Sequence, residues 1–242
     1  MSDPQGNDDN IVQFKLRPQG PQPKPNGPKH QPMFNIPPAT KYLAGTLIAI
    51  YASITLAGFV WNAVPQLAYI GGGFIPASWS GEAPFLLWTP ITPLTSILLH
   101  GSWMHVGINT VMLVAMGSGA EKWLGVKRYL ILFFGSGLIA LLTHFAFEPF
   151  STTPIVGASG GISGVFAAIL MGMKGRDGGY SGIMPMALAW IGISVLFGLM
   201  GSPDGSSVAW IAHIGGFIGG LGITKLMMDR DAKKPRTPPT YH

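Results

Sequence analysis

Four polar side chains sit inside otherwise apolar runs of this 242-residue sequence: His105 and Asn109 in HGSWMHVGIN, Ser159 in PIVGASGGISGVFAAIL, and His213 in AHIGGFIGGLG. Polar groups in such surroundings are costly, so each is a functional candidate. A serine hydroxyl becomes a nucleophile when an adjacent base takes its proton, and histidine is the usual base, so Ser159 and His213 supply the minimum for covalent catalysis. The oxyanion of a tetrahedral intermediate needs donors, and the Ser159 backbone N–H, the Asn109 amide and the His105 ring can provide them. With no cysteine in the chain, thiolate nucleophiles, disulfides and cysteine-ligated metal drop out. His100 and His105 have the wrong spacing for one helical face and no H-E-x-x-H occurs, so no metal is expected. No GK[ST] follows the glycines and the dinucleotide spacing is absent, so no nucleotide cofactor is expected either. Gly157, Ser159 and Gly161 spell G-x-S-x-G, but that elbow needs a buried strand before it and a soluble sheet around it.

The elements that must position these groups are membrane helices. The chain is 48% hydrophobic and 10% charged, against roughly a quarter charged in soluble domains. Its apolar residues fall into runs of about 17 to 25, the length that crosses a bilayer. Six segments follow from this, at about 41 to 62, 94 to 117, 128 to 147, 158 to 173, 183 to 200 and 207 to 228. Residues 1–38, with QGPQPKPNGPKHQP, read as a disordered proline-rich cytoplasmic tail; residues 39–228 form the membrane domain, and residues 229–242 a basic cytoplasmic tail. The connection between the first two segments holds Phe74, Trp79, Phe85 and Trp88 without Lys or Arg, which suits the membrane interface.

Orientation follows from counting cations. Six spans with both termini inside place all 15 Lys and Arg on the cytoplasmic side and none in the outer loops, as the positive-inside rule demands. This partition accounts for the net charge of +5 without nucleic acid, for which no basic stripe with interleaved aromatics is present. The start at Met1, with Asp3, Asp8 and Asp9 and no apolar core beside them, shows neither a signal nor a transit peptide and is expected of a bacterial inner-membrane protein.

Helical rise then places the polar groups at one depth. Counted from the cytoplasmic cation at the end of each span, Ser159 lies about 22 Å up, His213 about 18 Å, Asn109 about 20 Å and His105 about 26 Å. In a hydrocarbon core about 30 Å thick, all four fall in the outer half. His105 and Asn109 are four apart and share a face; His100 points elsewhere on a regular helix and takes a supporting or structural part. Glu82, Glu148 and Asp204 fall in outer loops, and Glu121 and Asp177 on the cytoplasmic side. With no carboxylate in the layer, a dyad is expected rather than a Ser-His-Asp triad. Gly160 with Gly164, Gly215 with Gly219 and Gly216 with Gly220 are small-xxx-small pairs that let helix backbones approach, which a serine and a histidine on different helices require.

These stretches resemble the rhomboid intramembrane serine proteases: GASG at 157–160, HGSWMHVGIN at 100–109, GSGAEKWLG after it, and AHIGGFIGG at 212–220. The resemblance covers roughly residues 40–228 and implies an all-α, six-helix rhomboid bundle with a long interfacial first outer loop. It implies that Ser159 is the nucleophile, His213 the general base, and His105 and Asn109 part of the oxyanion hole, with His100, Gly157 and Gly160 in support. It also implies that single-pass transmembrane substrates, reached through membrane lipid, are unwound and cut near their outer end. The chain departs from the family in having Ile91 and Thr92 where a Trp-Arg pair is common, and Ser163 where an aromatic residue often stacks on the catalytic imidazole. The competing readings are a non-catalytic binder of transmembrane helices with the same fold, and a transporter, against which the lack of half-chain symmetry and of a carboxylate relay counts. Substrate identity and oligomeric state are not encoded in these motifs.

Overall fold

A computed structural model describes residues 35–177, 183–201 and 209–233, with side chains omitted for 174–177. Most of the expected proline-rich tail, Asp204 and most of the basic tail lie outside the described residues. The chain forms α1 (Pro38–Val60), α2 (Val64–Gly72), α3 (Pro76–Ser80), a 3₁₀ turn (Thr89–Ile91), α4 (Thr92–Leu98), α5 (Trp103–Leu124), α6 (Val126–Phe147), α7 (Ser159–Asp177), α8 (Met184–Met200) and α9 (Trp210–Ala232). Among the described residues the one β feature is an antiparallel bridge between Phe74 and Ile155. The molecule is an all-α membrane bundle.

By length and composition α1, α6 and α9 can each cross a bilayer, and the 3₁₀ turn and α4 together with α5 can form a fourth, bent crossing; α7 and α8 are shorter apolar helices. The six expected segments thus each overlap a helix of 17 residues or more, but the second is not continuous. The chain turns by 75° between α4 and α5. Ser102 causes the restart: it takes an extended conformation and its hydroxyl accepts the His105 N–H at 3.0 Å, capping α5. At the other end, α9 runs through Ala232, past the boundary expected at residue 228. Its last turns are pinned by the Lys225–Asp229 pair at 2.8 Å and by Asp231, which receives both Arg128 guanidinium nitrogens at 2.5 and 2.6 Å.

Two further ties fix the frame. Pro38 opens α1, where a missing N–H does no harm. The next two N–H groups, of Ala39 and Thr40, donate to the buried Glu121 carboxylate of α5 at 3.0 and 2.7 Å, and the Thr40 hydroxyl adds a bond of 2.8 Å. A carboxylate at a helix N-terminus satisfies orphan donors and the dipole at once. The core runs through Leu47, Ile97, Leu113, Tyr129, Phe133 and Ile162, all fully buried. Large apolar side chains such as Leu56, Phe59, Leu142, Leu188 and Ile218 face outward, the pattern of helices surrounded by hydrocarbon.

The connection between α1 and α4 is more ordered than an interfacial loop needs to be. It folds into α2 and α3, and Phe74, expected at the interface, is buried against Trp79 and Phe145. Trp79, Phe85 and Trp88 remain exposed. The Phe74–Ile155 bridge and the Ala77 N–H bond to the Ser151 carbonyl at 2.9 Å tie this connection to the segment that leads into α7.

Candidate active site

Ser159 is the first residue of α7, and His213 lies in the first turn of α9. Their meeting depends on glycine. A Cβ at Gly216 would strike the backbone of Gly160, and one at Gly220 the backbone of Gly164, so α7 and α9 touch main chain to main chain. Gly215 and Gly219 face α6 instead, against Thr143 and Ile139. With the backbones this close, Ser159 Oγ stands 2.8 Å from His213 Nε2, within hydrogen-bond range.

The approach to Ser159 is set by Gly157, whose φ of +131° is open to glycine but strained for other residues. Its N–H donates to the Ser96 carbonyl of α4 at 2.8 Å. A Cβ there would lie 2.8 Å from His105 Nε2 and 3.7 Å from Asn109 Nδ2. The two α5 side chains therefore face the peptide segment just before Ser159. Asn109 is buried, and its Nδ2 has no hydrogen-bond partner among the described residues. A buried, unsatisfied donor is uncommon and calls for a partner.

His105, Asn109, Gly157, Ser159, Gly160 and His213 all line one cavity of about 550 Å³, which also takes walls from α6 and α8. His100 does not. It is fully buried in the turn between α4 and α5, with its ring edge-on to His105 at 4.9 Å and its Nδ1–H donating to the Leu98 carbonyl at 3.3 Å. Its link to the connection between α1 and α4 runs through its backbone: the Tyr69 hydroxyl of α2 donates to the His100 carbonyl at 2.6 Å. Burial raises the Tyr69 pKa above its ordinary value, so the phenol stays protonated as a donor.

Ser163, one turn below the nucleophile candidate, is fully buried and donates to the Ser159 carbonyl at 2.8 Å. Two cavity residues escaped sequence reasoning, His144 and the placement of Glu148, both at the end of α6. The signal was present: a histidine inside an apolar run with a carboxylate four residues on. No group of three or more His, Cys, Asp or Glu side chains that could hold a metal ion is found among the described residues.

The helical membrane bundle thus brings a serine hydroxyl and an imidazole together beside an unpartnered amide. The Rhomboid domain matches residues 87–230, more than half of the chain, and the chain belongs to the rhomboid family. It is 33% identical over 129 residues to Rhomboid protease GluP of Bacillus subtilis (strain 168), covering 53% of this chain and 24% of that one. It is 29% identical over 148 residues to Putative rhomboid protease YdcA of the same organism, covering 61% and 70%. Rhomboid-like protease 3 of Toxoplasma gondii is 26% identical over 161 residues, covering 65% and 56%. The match thus spans only about a quarter of GluP and just over half of the Toxoplasma protein.

Proposed function

We propose that this protein is an intramembrane serine endopeptidase that crosses the membrane six times with both termini cytoplasmic, and that cuts single-pass transmembrane helices near their outer end. The observation that carries the reading is the 2.8 Å separation of Ser159 Oγ and His213 Nε2 at the wall of a cavity. In this reading His213 Nε2 takes the Ser159 proton as Oγ bonds to the scissile carbonyl carbon. The developing oxyanion is met by Asn109 Nδ2, the His105 ring and the Ser159 N–H, aided by the positive end of the α7 dipole. As the carbon–nitrogen bond breaks, His213 returns its proton to the departing amine and leaves an acyl-enzyme on Ser159. Water then attacks the ester and His213 accepts its proton; as the bond from carbon to Oγ breaks, His213 passes that proton to Ser159 Oγ and the carboxylic product leaves. A substrate helix must open before its carbonyls are accessible, because in lipid they are held by internal hydrogen bonds.

Purified protein in liposomes should cleave a transmembrane test substrate, and Ser159→Ala should abolish both cleavage and labelling by a fluorophosphonate. Cleavage that survives in the alanine variant refutes the assignment. A folded protein that binds the helix but neither cleaves it nor takes the label is a binder, not an enzyme.

A further inference from the structure

The cavity that holds Ser159 and His213 is lined by two more titratable side chains, His144 and Glu148, which the chemistry above does not use. Both belong to the end of α6. Glu148 closes the helix, its N–H donating to the His144 carbonyl at 2.8 Å. His144 is nearly fully buried, with Nε2 3.7 Å from Glu148 Oε2, whereas Nδ1 has no hydrogen-bond partner among the described residues. The Glu148 side chain is 50% exposed. A buried imidazole therefore stands beside a half-exposed carboxylate at the cavity wall.

Glu148 is the one carboxylate among the described lining residues, and no lysine or arginine lines the cavity with it. In the proposed topology no cation reaches it from neighbouring outer loops, because all 15 Lys and Arg lie on the cytoplasmic side. A single sign of charge in a cleft with low-dielectric walls focuses the field there. Ser159 and Glu148 line the same cavity, so a helix presented to Ser159 enters the cavity that this carboxylate lines.

We propose that Glu148 is a specificity residue that selects substrate helices carrying a lysine or arginine just outside the cleavage site and rejects those carrying acidic residues there. The inference rests on the proteolytic reading of the same cavity. Its selective value comes from the positive-inside rule itself: most outer flanks are poor in cations, so a basic flank marks a small set of helices. Attraction for one flank and repulsion of the other together set the discrimination.

The test uses the full chain in phosphatidylcholine liposomes and two transmembrane substrates identical except for lysine or glutamate in the few residues outside the cleavage site. The wild type should cleave the lysine substrate with a kcat/KM about tenfold higher. Glu148→Gln should bring the ratio close to one, and Glu148→Lys should invert it; raising salt should shrink the wild-type preference. Capture of the same two helices by the Ser159→Ala protein reads the preference without chemistry. A charge preference in capture with no cleavage by the wild type sinks the proteolytic reading and leaves Glu148 as a selector of bound helices. A ratio that is the same in the wild type and the folded Glu148→Gln protein, in cleavage and in capture, overturns the proposal.

Discussion

Replacing Gly216 by alanine asks whether the α7–α9 contact sets the geometry of Ser159 and His213. Gly216 lies one turn beyond His213, and Gly160 follows Ser159 directly. An added Cβ would stand 2.9 Å from the Gly160 carbonyl carbon and 3.0 Å from its Cα, and would strike the carbonyl oxygen. Backbone atoms cannot rotate aside, and carbon contacts settle at about 3.5 to 4.0 Å, so the helices must part by about 1 Å. Carried with α9, the imidazole retreats from its 2.8 Å contact with Ser159 Oγ to about 3.8 Å, beyond hydrogen-bond range.

The expected consequence is a fall in kcat of about a hundredfold, with a loss of about 1 to 3 kcal/mol in stability from overpacking. Gly222→Ala is the control. It lies on the same helix, where a Cβ would meet nothing within 4 Å, so activity should hold and the helix should gain about 0.5 to 1 kcal/mol. Turnover of a transmembrane substrate, the rate of fluorophosphonate labelling and thermal unfolding in one detergent separate the effects. A folded Gly216→Ala protein that labels and cleaves at wild-type rates would refute the claim that backbone contact positions the dyad.

Two other substitutions probe different parts of the frame. Asn109→Ala removes the unpartnered amide and should lower kcat by about a hundredfold to a thousandfold with little change in KM, as for other oxyanion donors; an unchanged kcat in steady-state assays removes Asn109 from that role. Glu121→Gln weakens the cap on α1 and should destabilise the fold by about 1 to 3 kcal/mol, while activity per folded molecule holds, since Glu121 stands about 24 Å along α5 from His105; unaltered thermal unfolding would show that the carboxylate does not anchor α1.

Ser159, His213, His105 and Asn109 were legible because hydrocarbon makes every polar residue conspicuous and because one helical rise per residue converts sequence distance into depth. That count takes each span as one unbroken helix, which α7 and α9 are. It assumed a straight second segment, and here the sequence held an unread signal: Ser102 after Gly101 is a start site for a new helix. His100 accordingly sits in a bend rather than on a helix face. The sequence puts Glu121 only on the cytoplasmic side, because nothing local in GSGAEKWLG shows that the start of α1, some 80 residues earlier, will supply its donors. The same holds for Phe74, whose burial depends on a bridge to Ile155. Long-range partners of this kind leave no periodicity to read.

The glycines of α9 show how far a local pattern can be carried. Read as spacing alone, Gly215 with Gly219 and Gly216 with Gly220 are equivalent pairs, yet neighbouring residues on a helix point about 100° apart. One pair must therefore face a different neighbour from the other, and it does: Gly215 and Gly219 admit Thr143 and Ile139 of α6, whereas Gly216 and Gly220 admit the backbone of α7. A helix seated closely against two others has little freedom to slide or roll. His213 is borne on that seat, one turn from both contacts. The doubled glycines thus do more than permit a close approach, since the α6 contact restrains the rotation that the α7 contact alone would leave open.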